Sequence, residues 1–135
     1  MTPDPLLERF PRPPTADLLG QRVLEFDRAR GTIRLSFTAT DAFLNPAGAV
    51  QGGILAAMLD DTMGPALWVL NGEETYSVTI DFSVSFLAAA KPGLLYGEGQ
   101  VVQRGRSIAF LEAQLGDADG RIVARSTATA RIVKA

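Results

Sequence analysis

Residues 43–71 read FLNPAGAVQGGILAAMLDDTMGPALWVLN, and no other stretch of the chain limits its fold as tightly. The segment opens with loop formers (Asn45, Pro46, Gly48), passes through Gly52-Gly53, and then runs apolar in a way that suits one long helix. A helix on a protein surface carries an apolar stripe and a polar face. Here Ile54, Leu55, Met58, Leu59, Met63, Leu67, Trp68 and Leu70, together with four alanine and valine positions, point in nearly every direction, so other elements must wrap the helix. Gly52, Gly53, Ala56 and Ala57 keep its first turns thin enough for close approach. Gly64-Pro65 interrupts the hydrogen-bond ladder and predicts a kink or an early helix end there. Asn71-Gly72 is the stop signal.

Between Gly52 and Asn71 the only charges are Asp60 and Asp61. Ionised carboxylates in such surroundings are costly unless they are solvated, paired or used. The residues alone leave two readings open: both acids reach water or a partner arginine, or one of them does chemistry.

The rest of the chain alternates as strands do. Val23, Leu24 and Phe26, a turn near Ala29-Arg30-Gly31, and Ile33, Leu35 and Phe37 predict a hairpin ahead of the helix. After the helix, residues 76–87 alternate, with Val78, Ile80, Phe82, Val84 and Phe86 on one face and Thr79, Asp81, Ser83 and Ser85 on the other. Lys91-Pro92-Gly93 makes a loop, and a strand follows in which Gly97 and Gly99 mark places where a neighbouring backbone passes closely. Arg104-Gly105-Arg106 turns into a strand over 107–115. Asp117-Ala118-Asp119-Gly120 is a tight connection expecting a positive φ at the glycine, and a last strand closes the chain. Residues 1–20 hold five of the eight prolines; they read as an arm, with Leu6, Leu7 and Phe10 able to dock. The domain proper is expected over 21–135. Strand, strand, long helix and four strands imply an α+β domain, a mostly antiparallel sheet curled around one helix. That helix is too apolar for one sheet surface alone, and a second copy of the chain would cover it.

Composition prunes the chemistry. With 135 residues and 47% hydrophobic content the chain can bury one sizeable core. A net charge of −2 with 13 scattered lysines and arginines gives no basic footprint for nucleic acid. No run reaches the roughly 18 consecutive apolar residues of a membrane span, and the proline-rich start is not a basic-then-apolar signal, so a cytoplasmic protein is expected. Zero cysteines and zero histidines remove thiol nucleophiles, thiolate metal sites, the commonest acid-base group and the commonest zinc ligand.

Asn45-x-x-Gly48-x-x-Gln51-Gly52-Gly53 followed by Asp60 resembles the signature of hotdog-fold acyl-CoA thioesterases of the phenylacetate-degradation (PaaI-like) type, which usually carry histidine where this chain has Gln51. The resemblance runs from about residue 21 to the C-terminus, through Thr79-x-Asp81, Lys91-Pro92-Gly93, Gly105-Arg106-Ser107-Ile108-Ala109-Phe110 and Asp119-Gly120. It implies the hotdog fold, a long central helix wrapped by a curved antiparallel sheet, and a homodimer paired edge to edge, with a dimer of dimers as the alternative assembly. It also implies an acyl-CoA substrate, small or medium and including aryl acyl groups, with no metal and no cofactor.

On that resemblance Asp60, nine positions after Gln51, is the catalytic acid and Asp61 is structural, paired at the dimer interface. A carboxylate can attack the carbonyl itself or take a proton from water. A thiol of pKa near ~8.5 leaves without an acid to protonate it, so one carboxylate suffices for a thioester. The Gly52 N–H polarises the thioester carbonyl, with Gly53 beside it, at a helix start whose free N–H groups suit an oxyanion; close packing explains the glycines equally well. Gln51 still donates a hydrogen bond. Asn45 orients the water or the carboxylate, or merely forms the turn before Pro46. The Thr79 hydroxyl holds the attacking water. Arg106 and Ser107 are assigned to the nucleotide part of CoA. Trp68, Met58, Met63 and Phe82 are candidates for the acyl pocket or for plain core. In the family, Asn45, Gln51 and Gly52 of one chain face Asp60 and Thr79 of the other. A hotdog domain that binds acyl-CoA without turning it over is the alternative, with Gln51 marking the loss of activity; a hydratase would want an Asp-His pair that the chain lacks.

Overall fold

The computed structural model describes residues 4–134. A 3-10 turn over Pro5–Arg9 and a short helix α1 (Pro14–Leu19) come first. Then follow β1 (Arg22–Asp27), β2 (Thr32–Ala39), the long helix α2 (Gly52–Asn71), and β3 (Thr75–Phe86), β4 (Gly93–Arg104), β5 (Ile108–Gly116) and β6 (Ile122–Lys134). The six strands form one antiparallel sheet in the order β1-β2-β4-β5-β6-β3, so β1 and β3 are its edges.

The apolar alternation of the hairpin puts Ile33, Leu35 and Phe37 on the inner face, where they are buried with Leu95, Leu115 and Val123 against Met58, Leu59, Met63 and Leu67 of α2. Each such side chain contributes about 1.5–3 kcal/mol by leaving water. Gly97 and Gly99 let the helix come this close. A Cβ on Gly97 would stand 2.5 Å from Thr62 Oγ1, and one on Gly99 would stand 2.9 Å from the Thr62 carbonyl oxygen. Thr62 is fully buried and turns its hydroxyl back onto Met58 O at 2.8 Å. The β5–β6 connection is the tight turn expected from its sequence, with Gly120 at φ +84° and Asp117 Oδ1 accepting from the N–H groups of Asp119 and Arg121.

Two expectations need correction. The early helix end at Gly64-Pro65 does not occur; α2 continues to Asn71. Pro65 lacks the N–H that would bond Asp61 O, and Gln21 Nε2 supplies that bond from outside the helix at 3.0 Å. The second correction concerns β3, whose five large apolar residues do not share a face. A bulge between Thr79 and Asp81 inserts one residue, and one residue reverses the alternation. Tyr76, Val78 and Ile80 therefore stand exposed on the outside, whereas Phe82 and Val84 pack on the core.

Residues 4–20 pack on the domain. Leu6, Ala16 and Leu19 are buried, and Phe10 lies against Trp68 (centroids 4.6 Å apart) and Phe26 (5.6 Å). By length and composition α2 could cross a membrane; in this fold eight of its residues, from Leu55 to Val69, are buried in the protein. Its opposite side, with Gly53 and Ala57 exposed and Ile54, Ala56, Asp60 and Gly64 half-buried, is left open by the sheet.

Candidate active site

The polar groups of the loop before α2 are spent locally. Asn45 Oδ1 accepts from the N–H groups of Ala47 (2.9 Å) and Ala49 (3.1 Å), and Asn45 N donates to Ala49 O at 2.7 Å. Gln51 N donates to Phe43 O at 2.8 Å, and Val50 N to Ala90 O at 2.9 Å. Asn45 is thus a turn former through its oxygen, and only its side-chain amide N–H groups remain for a ligand. Gln51 is extended (φ −58°, ψ 139°), its exposed side chain makes no capping bond, and its carbonyl takes the N–H groups of Ile54 and Leu55. The N–H groups of Gly52 and Gly53 precede those and have no helical acceptor. Space is tight at Gly52: a Cβ there would stand 3.1 Å from the ring of the exposed Phe86, which would have to shift, while one on Gly53 would meet nothing within 4 Å. The glycine pair is therefore closely packed at Gly52 and open at Gly53.

Two turns further along α2, Asp60 is half-buried and its Oδ1 accepts from Thr79 Oγ1 at 2.8 Å. The β3 bulge lies just beyond Thr79 and turns that hydroxyl toward the helix, while Ile80 faces out. Asp60 Oδ2 has no hydrogen bond among the described residues, so one carboxylate oxygen is held and one is free. Asp61 faces the opposite flank, where its Oδ2 accepts from Gln21 Nε2 at 3.0 Å. Burial first, then the neighbouring Asp60 charge, pushes its carboxyl from an ordinary 3.8 up to about 6, against a lowering pull from Arg12.

Arg106 and Ser107 are exposed in the β4–β5 turn, which is tied to the C-terminal end of α2 by a bond from Arg104 to Asn71. One protomer thus carries three separate groups. Asn45, Gln51, Gly52 and Gly53 are together at the start of α2, Asp60 and Thr79 at its middle, and Arg106 and Ser107 beyond its end. Gly52 and Asp60 are separated by eight residues, about 12 Å of helix, too far for one carbonyl group to touch both. A groove of about 700 Å3 on the outer face of the sheet, lined among others by Arg34, Glu98, Gln114 and Arg125, contains none of these residues.

Of the pocket candidates, Met58 and Met63 are fully buried core, Phe82 packs on that core, and Trp68 lies under Phe10. Three neighbours of the site escape a reading of the sequence. Phe86 lies on Gly52 and Arg12 faces Asp61, without a local signal for either. Gln21 had an indirect one: a proline inside a helix requires that something else bond the freed carbonyl.

The thioesterase superfamily pattern matches residues 47–124. The chain is similar to a phenylacetic acid degradation-related protein of Ralstonia eutropha, at 37% identity over 93% of this chain and 96% of that one, with a TM-score of 0.88. It is similar to a thioesterase family protein of Silicibacter pomeroyi at 28% identity, covering 95% of each chain with a TM-score of 0.85. The E. coli PaaI protein shares the fold at 19% identity and a TM-score of 0.83, over 93% of this chain and 88% of that one.

Proposed function

The chain belongs to the thioesterase superfamily and is a thioester hydrolase of the hotdog fold, and from that premise we propose that it hydrolyses acyl-CoA esters of small or medium acyl groups, aryl ones included, with Asp60 as its working carboxylate. The observation that carries this reading is the division of labour at Asp60: Thr79 holds Oδ1 at 2.8 Å and leaves Oδ2 without a partner among the described residues. A carboxylate oriented by one oxygen can present the other to a water proton as general base, or to the thioester carbon as nucleophile. The Gly52 N–H, at the positive end of the α2 dipole, is suited to the oxygen that becomes negative.

Those two parts meet only between two chains. Two antiparallel copies of α2 crossing at residue 56, midway between 52 and 60, would set each Gly52 opposite the other chain's Asp60. The positions around that crossing, Gly53, Ala56 and Ala57, are small, and Gly53 and Ala57 are exposed. The β3 edge, with Tyr76, Val78 and Ile80 exposed, supplies the apolar surface for the same homodimer; a dimer of dimers could build on it. Gln51 and the Asn45 amide of one protomer would then hydrogen-bond the acyl group or the water at the other's Asp60. Arg106 and Ser107 would meet the CoA phosphates, and Gly53 would pack against the substrate. The 21–135 domain would act in the cytoplasm, without metal or cofactor.

The test is thiol release across short, medium, branched and aryl CoA esters with Asp60→Asn as control. Hydrolysis that Asp60→Asn abolishes supports the reading; Asp60→Asn with wild-type release ends it. Tight binding of an acyl-CoA with no thiol released by the native protein would favour a binding module instead. Single turnover in heavy-oxygen water tests the nucleophilic route, since label in the Asp60 carboxylate can come only from an Asp60–acyl anhydride that water opens at the Asp60 carbonyl.

A further inference from the structure

The carbonyl freed by Pro65 is not left to solvent. Gln21 Nε2 stands 3.0 Å from Asp61 O and 3.0 Å from Asp61 Oδ2. A side-chain amide nitrogen has two N–H donors, so both are spent on this one residue. Gln21 is itself buried, 6% exposed, and it is anchored in turn. Its carbonyl accepts from Arg12 Nη1 at 2.8 Å, its N–H donates to Ala16 O at 2.9 Å, and Arg12 pairs with Asp17 at 2.8 Å. The segment around α1 is thereby fastened to one turn of α2, the turn that carries Asp60.

A need to satisfy one carbonyl does not account for this. Water would do so at a half-buried position, and the neutral amide oxygen of an asparagine at 61 would also accept from Gln21. A carboxylate there sets a second negative charge on the turn of the first and opposes folding wherever both are ionised. We propose that Gln21 and Asp61 are positioning residues for Asp60, fixing the turn of α2 that presents it to Thr79 and setting the local charge against which it works. The inference rests on the reading of Asp60 as the reacting carboxylate. Gln21 replaces the missing backbone donor, so the Asp60 side chain is held from both flanks, by Thr79 directly and by Gln21 through the next residue. The charged groups facing Asp61 are Asp60 on its own helix and Arg12 from the segment ahead of α1; Gln21, ahead of β1, faces it with N–H dipoles. Asp60 opposes the ionisation of Asp61, while Arg12 and the Gln21 donors favour it.

Thiol release by the full-length protein tests this with three variants: Gln21→Leu, which loses both donors, Gln21→Leu/Pro65→Ala, which returns a backbone N–H to Asp61 O, and Asp61→Asn, which keeps the acceptor and removes the charge. Gln21→Leu is expected to lower kcat about tenfold with KM within about twofold of wild type. The added Pro65→Ala should recover at least about threefold of that loss. Asp61→Asn should change kcat/KM by about threefold or more above about pH 6, where Asp61 carries its charge, and converge with wild type below it. A purely structural role would lower the melting temperature and leave kcat per folded molecule and the pH profile in place; that result overturns the inference. If Gln21→Leu does not fold, Asp61→Asn decides alone, and a pH profile superimposable on wild type overturns it. Asp60→Asn run in parallel separates the two ideas. Wild-type release from it would fail the reading of Asp60, whereas its inactivity beside wild-type behaviour of both Gln21→Leu and Asp61→Asn would fail this inference alone.

Discussion

The two flanks of α2 are built on opposite plans. Toward β1, β2 and β4 the chain covers its own helix: Thr62 fills the space left by Gly97 and Gly99, Gln21, anchored by Arg12, bonds Asp61, and Phe10 lies on Trp68. Toward β3 it stops short. Gly53 and Ala57 are uncovered, Asp60 keeps one oxygen unpaired among the described residues, and the sheet ends in an edge bearing Tyr76, Val78 and Ile80. Neighbouring carboxylates therefore face different requirements: Asp61 is answered by its own chain, and Asp60 is answered on one side only. A flank that one chain closes carries stability, while a flank left open carries whatever a second chain or a ligand completes.

The strongest way to break this contrast is to split the site. Asp60→Asn and Gly52→Pro should each lower thiol release about 10²–10³-fold, the second by deleting one oxyanion donor. Proline suits the first helical position, and Gln51 already has the extended backbone that a following proline demands, although the Phe86 ring must yield. Mixing the two variants after unfolding should restore about a quarter of wild-type activity, because half of the dimers would be hybrids with one intact site of two. No recovery would show that Gly52 and Asp60 do not meet across chains. The next largest effect belongs to the open edge. Ile80→Asp should convert dimer to monomer in sedimentation and lower activity about 100-fold, in proportion to the dimer lost. A fully active Ile80→Asp dimer would remove β3 from the interface.

The closed flank should answer differently to an equally small change. Gly97→Ala puts a methyl 2.5 Å from Thr62 Oγ1 and 3.0 Å from Leu35 Cδ1, in a region with no exposed atoms to retreat. Overpacking of this kind costs about 1–3 kcal/mol. The denaturation midpoint should fall, while kcat per folded molecule stays within about twofold of wild type. A loss of activity without loss of stability would mean that this flank also shapes the site.

Which parts of this were legible beforehand follows from what a linear pattern can encode. The continuous apolar run of α2 needed wrapping in any fold, so the helix and its sheet could be read directly. The strand over 76–87 was equally plain, but an alternation carries no mark of an extra residue, and the bulge after Thr79 sends Ile80 to one face and Phe82 to the other. Pro65 spoke for a broken helix because the donor that mends it, Gln21, lies 40 residues away from Asp61. Asn45 carried both a turn-forming and a catalytic reading, and only the contacts of its oxygen with Ala47 and Ala49 show where that atom is used. Local periodicity fixes elements; long-range polar satisfaction is visible only once the elements have met.

The smallest effect is also the most discriminating, because its sign separates a stabilising acid from one kept at a cost. Burial, then the Asp60 charge, raises the Asp61 carboxyl from 3.8 to about 6 despite Arg12. A group whose folded value lies above its unfolded one binds its proton more tightly in the native state, so its favourable contribution is full below about pH 3.8 and is lost as pH rises through about 6. Asp61 is half-exposed, and solvent screening trims the effect to under about 1 kcal/mol, a few degrees in melting temperature for a chain of this size. Asp61→Asn should therefore gain stability over wild type as pH rises from 4 to 7, with the two curves converging at the acid end. Curves that diverge in the opposite sense would mean that Arg12 and Gln21 outweigh burial, making Asp61 a conventional anchor of the closed flank. The expected sign instead marks a carboxylate that the fold would be more stable without at neutral pH, which is the behaviour of a residue retained for its neighbour.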